Sequence, residues 1–435
     1  IMFTIDDSGS MGGSSITDSG ADPSGTQASD YFYNKIAYNP NITYIPWVNY
    51  NSAAMSNTIL SDGSVSPTAS FNCTDTKPCV FYANGVKNQI KPSTLTYSRT
   101  NRSDCANNTS CTFAEEQTNY VNWKRYYNTR MKTAKASIGQ AFSELDDKVR
   151  VGFGRINNLS NASVDGTPTN TVILGVRKFT STNKTTFFDT LYNTDANGST
   201  PLRRAMDDVG IYFSRPTGSA SPWADTPGEG TGGGFKTCRQ SYHILMTDGY
   251  WNTGRAGIDN TSPVRRNNDG DAAISWPQIT SADGKQSYQY VAARPYADTT
   301  ANLLADVAMY YWARDLQPNI SNKVSPSVDD EAFWQHMVNL TLSFGARGNM
   351  TTAQIDAAKA GTGNWPAISV STLENDPTND HPEAIDDLIH AAFNSRGNYY
   401  TVKDPSAFVD SLKSMFSTIQ ARNGSSSATV SNTAR

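Results

Sequence analysis

The beginning of the chain places a carboxylate and two hydroxyl groups at alternate positions. Residues 5–11 have the sequence IDDSGSM, in which Asp6, Ser8 and Ser10 directly follow an apolar run. On a tight loop containing glycine, three such side chains can turn toward one point, and hard divalent cations prefer oxygen ligands. The segment therefore indicates a cation site, although Asp, Ser and Gly are also common in ordinary turns.

Two later segments carry further oxygen side chains in a similar setting. Residues 198–202 (GSTPL) place Thr200 ahead of a helical period, and residues 244–249 (ILMTDG) end a buried run at Asp248. In open α/β sheets, ligands collect in the loops at the carboxyl ends of the strands. The candidate metal ligands are therefore Asp6, Ser8, Ser10, Thr200 and Asp248.

Short apolar runs and helical periods alternate along the rest of the chain. Strand-like runs cover residues 1–5, 149–153, 171–176, 243–247, 337–344 and 399–402. Helical periods cover residues 131–145, 202–213, 304–311, 383–393 and 404–422. We expect Pro201 at the first position of the second helix and Asp404 as the N-cap of the last. The alternation predicts a mostly parallel α/β sheet with helices on both faces.

Two long segments interrupt this alternation and are interpreted as insertions. They cover residues of about 17–118, rich in Asn, Ser, Thr and Tyr, and of about 215–300, rich in Gly, Pro, Asp and Asn. The first contains two close cysteine pairs, which predict two disulfide loops: Cys73 with Cys79, and Cys105 with Cys111. A zinc site is the alternative, but five intervening residues exceed the usual spacing of about two to four. Cys238 is expected to be a buried thiol or to pair outside this chain.

Composition and motifs argue against several functions. The net charge is −4 with no basic stripe, so nucleic acid is not an expected partner. No apolar run approaches the roughly 18 residues of a membrane span. The chain contains neither a GxSxG nor an HExxH motif, and the glycine-rich residues 228–233 do not open a helix after a strand, so an enzyme is not expected. Residues 267–271 (NNDGD) favour a turn over a calcium loop, and Asp386 with His390 favours a local helical pair.

The three oxygen-bearing segments follow one another as DxSxS, GxTPL and TDG. In this order they resemble the metal-ion-dependent adhesion site of von Willebrand factor A domains, which have a Rossmann-like fold. The resemblance implies Ser8, Ser10 and Thr200 as direct ligands, with Asp6 and Asp248 binding directly or through water. The implied cation is Mg²⁺ or Ca²⁺, with Mn²⁺ as a further candidate, and it would accept a carboxylate from another molecule.

Further segments resemble the N-terminal half of the PilY-type tip adhesins of bacterial type IV pili. They include residues 38–44 (YNPNITY), 245–252 (LMTDGYWN), 304–312 (LADVAMYYW) and 333–337 (FWQHM). The resemblance implies one von Willebrand A-type domain over residues 1–422 and a linker over residues 423–435 toward a C-terminal β-propeller. It also implies a secreted protein at the pilus tip or bacterial surface, whose partners are minor pilins and a host or abiotic surface ligand.

The expected function is therefore metal-dependent adhesion and assembly at the tip of a type IV pilus. The alternative is a structural scaffold for pilus priming, in which the metal only stabilises the loops.

Overall fold

A computed structural model describes residues 1–17, 23–55, 72–158, 162–230, 233–257, 261–376 and 381–432. The strands in these ranges are β1 (Met2–Ile5), β2 (Cys79–Ala83), β3 (Val86–Ile90), β4 (Thr96–Ser98), β5 (Ser110–Thr112), β6 (Arg150–Arg155), β7 (Ala162–Val164), β8 (Thr167–Thr169), β9 (Val172–Lys178), β10 (Ser241–Thr247), β11 (Ile279–Thr280), β12 (Ser287–Tyr288), β13 (Met337–Phe344) and β14 (Tyr399–Val402). The helices are α1 (Phe113–Tyr126), α2 (Arg130–Ser143), α3 (Ser181–Tyr192), α4 (Leu202–Phe213), α5 (Leu304–Trp312), α6 (Thr352–Lys359), α7 (Val370–Asn375), α8 (Glu383–Asn394) and α9 (Pro405–Asn432).

Six strands form the central sheet in the order β14-β13-β10-β1-β6-β9. All neighbouring pairs are parallel except β6 with β9, so the prediction of a mostly parallel sheet is confirmed. From β1 the chain builds one side of the sheet through β6 and β9, then returns to build the other side from β10. The strand order therefore reverses between β1 and β10, which is where open α/β sheets bind ligands.

Both faces of the sheet are covered, which explains why its central strands are buried along their whole length. Successive side chains of a strand point to opposite faces. Phe3 and Ile5 belong to the apolar cluster that contains residues of α2, α3 and α9. Met2 and Leu245 belong to a second cluster with residues of α4, α5 and α8.

A short polar row crosses the sheet among these apolar residues. His243 on β10 lies between Thr4 on β1 and Asn339 on β13, at 3.0 Å from the Thr4 Oγ1 and 2.9 Å from the Asn339 Oδ1. Burial lowers the pKa of His243 to about 4, so its ring is neutral at physiological pH. The row is internally hydrogen-bonded, which is the condition under which buried polar groups are tolerated.

The first insertion packs against the α2 face of the sheet. The disulfides Cys73–Cys79 and Cys105–Cys111 are formed, so both predicted pairs are confirmed and the zinc alternative is excluded. The insertion is anchored by Trp47, whose ring stacks on Tyr192 at a centroid distance of 4.7 Å. Residue 118, given as the approximate end of this insertion, lies inside α1.

The helix α1 begins at a capping box that the sequence analysis did not use. The Thr112 side chain accepts from the Glu115 N–H, while the Glu115 carboxylate accepts from the Thr112 N–H. Three other helices were also missed, namely α3, α6 and α7. The α3 sequence STNKTTFFDTLY is rich in Thr, which has a modest helix propensity, and α3 is held by the packing of Phe187 and Leu191.

The second insertion packs through aromatic residues onto α5. Its short β11–β12 hairpin carries Tyr288, which stacks on Trp334 at 4.8 Å and meets the edge of Trp312. Cys238, at an earlier point of this insertion, is an exposed free thiol, so the first alternative, a buried thiol, was wrong, and pairing outside this chain stays a prediction.

Two helix boundaries differ from the sequence-based expectation. Pro201 lies immediately before α4 and not at its first position. The cap of α9 is as expected, because Asp404 Oδ1 accepts from the Ala407 N–H at 2.9 Å. However, α9 continues to Asn432, so the backbone of residues 423–432 is helical where a linker was expected. Extending an existing helix costs far less than starting one.

None of the described helices has both the length and the apolar composition needed to cross a membrane.

We expect Phe142→Ala to destabilise the fold by about 3–5 kcal/mol, because it leaves a cavity between three elements. The buried Phe142 ring contacts Phe3 on β1, Phe187 on α3 and Phe416 on α9. Urea unfolding monitored by circular dichroism measures the loss. The control is Ile211→Ala on the outer face of α4, where the side chain is 54% exposed and the change should stay within about 0.5 kcal/mol. Equal destabilisation by both variants would contradict the described core.

Candidate metal centre

The site is built where β1 and β10 end side by side. In this parallel pair, Ile5 lies opposite Met246, so the residues that follow leave the sheet together. The Asp6 N–H donates to the Met246 carbonyl oxygen at 3.0 Å. The Thr247 hydroxyl donates to Asp6 Oδ2 at 2.6 Å. The Asp6 carboxylate is therefore fixed at the base of the cleft.

Four of the predicted oxygen side chains form a continuous chain of contacts above this base. Asp6 Oδ1 accepts from the Ser8 N–H at 2.8 Å. The Ser8 and Ser10 hydroxyl oxygens are 2.9 Å apart, and the Ser10 hydroxyl donates to Asp248 Oδ1 at 2.8 Å. A 3₁₀ turn over Gly9–Gly12 supplies the curvature that brings Ser10 back over Ser8. Only Ser10 of these four is exposed, so the cluster opens to solvent on its side.

The fifth predicted residue, Thr200, lies on an adjoining loop. The Gly9 N–H donates to the Gly198 carbonyl at 3.0 Å and thereby joins this loop to the serine loop. The Thr200 N–H donates to Asn252 Oδ1 at 3.0 Å, which fixes the backbone just before α4. Within the described ranges, no hydrogen bond joins the buried Thr200 hydroxyl to the other four predicted residues.

The Thr200 loop is held by two residues that the sequence analysis missed, Asp7 and Asn157. Asp7 Oδ1 accepts from the Asn157 N–H at 2.9 Å, and the Asn157 side chain donates to the Ser199 carbonyl at 2.6 Å. Gly198 has a φ of +97°, and a Cβ there would lie 2.8 Å from the Asn157 side chain, so only glycine fits. The available signal was the position of Asn157, which also follows the end of a central strand.

Arg130 at the start of α2 is the third residue that was missed. Its Nη1 donates to Asp248 Oδ2 at 2.9 Å, and its Nε donates to the Ser15 carbonyl at 2.7 Å. One oxygen of Asp248 therefore faces the serine hydroxyls and the other faces a cation of the protein. No local pattern indicated this pair, because its two members are separated by 118 residues.

The two consecutive aspartates have strongly perturbed acidities. Burial, together with the nearby Asp248 carboxylate, raises the pKa of Asp6 from 3.8 to about 7, although hydrogen bonds from Ser8 and Thr247 counteract part of this effect. Burial likewise raises the pKa of Asp7 to about 6. An external cation in the cleft would oppose both shifts, since positive charge favours the ionised carboxylates.

Two other expectations concern a different part of the molecule. Residues 267–271 form a turn as expected, in which the Asp271 N–H donates to the carbonyl of residue 267. The expected helical pair of Asp386 with His390 was wrong. Asp386 instead accepts two backbone N–H groups from the loop before α6, and His390 lies between Asp269 and Asp298. Long-range packing determines these contacts, so helical spacing alone could not predict them.

The fold and the cleft define an α/β protein with an oxygen-lined site at the switch point of its sheet. The chain is 31% identical over 338 residues, or 74% of its length, to the type IV pilus biogenesis factor PilY1 of Pseudomonas aeruginosa strain PAK. It is 30% identical to PilY1 of strain PAO1 over an alignment of 484 positions that covers 97% of the chain. The chain therefore belongs to the PilY1 family of type IV pilus biogenesis factors.

The chain spans 27% and 38% of the lengths of these two relatives. No protein-family model matches it. No solved structure matches it either.

We expect Asp6→Asn to weaken the pH dependence of stability in EDTA. A carboxyl group whose pKa is raised on folding contributes stability that is fully present below its unfolded value of 3.8 and is lost as the pH rises through about 7. The amide does not titrate, so this part of the loss disappears. Urea unfolding at about pH 5 and about pH 8 measures it. The exposed Asp283→Asn is the control, and a pH dependence in Asp6→Asn equal to that of the wild type would contradict the assignment.

Proposed function

We propose that the strand-end cleft binds one divalent cation in a metal-ion-dependent adhesion site of the von Willebrand A type. The observation that carries the proposal is the spacing of three oxygens, with Ser8 Oγ 2.9 Å from Ser10 Oγ and Ser10 Oγ 2.8 Å from Asp248 Oδ1. Neighbouring ligands of an octahedral Mg²⁺ ion at 2.0–2.1 Å lie about 3 Å apart. The oxygens therefore have the separation that such a cation needs.

The same residues explain why the bound cation would attract a partner. Ser8, Ser10 and Thr200 offer neutral hydroxyl oxygens, and the Arg130 guanidinium already compensates one oxygen of Asp248. Where Asp6 and Asp248 bind through water, the oxygens that contact the cation directly are neutral, and the cation keeps its positive charge. Ser10 is exposed, so an additional position faces solvent and can take a carboxylate of another molecule. The candidate cations are Mg²⁺, Ca²⁺ and Mn²⁺, because all three accept oxygen ligands.

We further propose that this chain acts in type IV pilus biogenesis and in adhesion at the pilus tip, outside the cell. The support is the family, whose curated members are named type IV pilus biogenesis factors. On this proposal residues 1–422 act as one module that precedes a β-propeller. Its partners are minor pilins and a carboxylate-bearing host or abiotic surface, and it catalyses no reaction.

A structural scaffold is the second candidate, and one observation favours it. The cleft loops are already joined by hydrogen bonds from Thr247 to Asp6 and from Ser10 to Asp248. The Arg130–Asp248 ion pair adds a further link. In this function the metal would stabilise loops needed for pilus priming and would not capture a carboxylate.

We expect the purified chain to gain stability from Mg²⁺, Ca²⁺ or Mn²⁺, and the double variant Asp6→Ala, Ser8→Ala to lose that gain. A cation at 100 times its Kd adds about 2.7 kcal/mol. Metal analysis and thermal unfolding with and without EDTA measure both effects. Ser14→Ala is the matched control, because Ser14 is exposed on the same loop and, among the described residues, its carbonyl alone accepts a hydrogen bond. If millimolar cations neither bind nor stabilise the wild type, the metal assignment is wrong.

The two candidate functions differ in the phenotype of Asp6→Ala in the full-length protein of the bacterium. Loss of surface adhesion with normal pilus numbers is the expected result, because the variant removes the cation and leaves the fold. Adhesion assays and counts of surface pili measure the two quantities. Loss of the pili themselves would support the scaffold.

A further inference from the structure

A second group of metal-binding side chains lies away from the strand-end cleft. Asp269 and Asp298 come from the second insertion, and His390 comes from α8. The His390 Nε2 is 3.7 Å from Asp269 Oδ2, and the His390 Nδ1 is 3.5 Å from Asp298 Oδ2. One ligand atom from each residue lies within 4.8 Å of the others. All three side chains are buried.

The negative charge around this cluster exceeds the positive charge. In the described part of the chain, His390 is the only base within ion-pair distance of Asp269 or Asp298. Two further buried carboxylates, Asp306 and Asp387, adjoin the cluster and each accept two backbone N–H groups. Arg203 also interacts electrostatically with Asp387, so one imidazole faces the remaining three carboxylates. Buried charge of this kind is costly unless it is paired or coordinates a metal.

The orientation of His390 matches that of a metal ligand. Its Nε2 lies 2.6 Å from the Tyr296 carbonyl oxygen, so Nε2 carries the hydrogen. Histidines that bind metals usually donate their other N–H to such a carbonyl. Trp365 stacks on the imidazole at a centroid distance of 4.1 Å and fixes its plane. The Nδ1 lone pair then faces Asp298, an arrangement of two acceptors that requires a proton or a cation between them.

Asn394 provides an independent observation on the same cluster. This residue is fully buried one turn after His390, and its Nδ2 donates to Asp269 Oδ2 at 2.7 Å. Its Oδ1 has no hydrogen-bond partner among the described residues. The same Nδ2 also donates to the Ala305 carbonyl at 3.2 Å, so rotation of the amide toward Asp269 would give up two hydrogen bonds and is favourable only with a cation between the two oxygens. A cation in the cluster would give that oxygen a partner.

We propose that Asp269, Asp298 and His390 bind one zinc ion, with Asn394 Oδ1 as an additional ligand. The class of metal follows from the ligands, because imidazole with carboxylates suits Zn²⁺ better than Mg²⁺ or Ca²⁺. Tetrahedral zinc ligands at 2.0–2.1 Å lie about 3.4 Å apart, close to the 3.5 Å between His390 Nδ1 and Asp298 Oδ2. The ion would fasten both ends of the 269–298 segment to α8, and it is independent of the strand-end site.

Zinc binding by the purified chain tests this proposal. The protein is stripped with EDTA, saturated with Mg²⁺ to occupy the strand-end cleft, and titrated with ZnCl₂. We expect one equivalent of zinc to bind, as measured by equilibrium dialysis and metal analysis. His390→Gln and Asp298→Asn should each weaken binding at least tenfold. The double variant Asp6→Ala, Ser8→Ala and the exposed Asp283→Asn serve as controls and should bind zinc as the wild type does.

Three outcomes would overturn the proposal. If the folded wild type binds no zinc, the proposal is wrong, and His390 is instead an imidazolium paired with two carboxylates. Equal binding by the wild type and both cluster variants places the zinc elsewhere. If the variants do not fold, X-ray absorption at the zinc edge of the wild type decides, since the proposal requires one nitrogen with oxygen ligands. A sulfur ligand, or ligation by oxygen alone, would contradict it.

Discussion

The parallel pairing of β1 with β10 is the constraint on which the described cleft depends. The two strands are distant in sequence, and their register sets Ile5 opposite Met246. This register brings Asp6 to the Thr247 hydroxyl and lets the serine loop reach Asp248. A shift of one residue would reverse the faces of β1 and move Phe3 and Ile5 out of the cluster in which they pack with α2 and α3. The apolar core therefore fixes the geometry of the polar site.

The two candidate metal sites differ in the groups that compensate their buried carboxylates. In the strand-end cleft, Arg130 already pairs with Asp248, and the exposed Ser10 gives access to solvent. The Asp269–Asp298–His390 cluster is closed, and within the described ranges only the His390 imidazole lies at ion-pair distance from its two carboxylates. An open site suits exchange of a ligand with a partner, whereas a closed site suits attachment of an insertion to the fold. The two proposals thus assign binding to one site and cohesion to the other.

The insertions distinguish this chain from a minimal α/β domain, yet they share its core. Trp47 of the first insertion stacks on Tyr192 of α3, and Tyr288 of the second stacks on Trp334. The disulfides close small loops of the first insertion, whose described strands pair as two short antiparallel ladders, β2 with β3 and β4 with β5. Family membership extends over both insertions, because the alignment with one relative covers 97% of the chain.

The sequence by itself determined the alternation of strands and helices, the two cysteine pairs and the five candidate ligands of the cleft. These features are local, since hydrophobic period, capping and cysteine spacing depend on neighbours along the chain. The sequence pattern did not predict the helix α3. Its threonines have a weak helix propensity, and the packing of Phe187 and Leu191 in the core stabilises the helix instead.

Only the tertiary structure decided which distant groups meet. It paired Arg130 with Asp248, joined Asp7 to Asn157, and turned His390 from its helical neighbour Asp386 toward Asp269 and Asp298. The physical reason is that burial makes an unpaired charge costly, so buried carboxylates such as Asp248 and Asp269 pair with groups that are distant in the sequence.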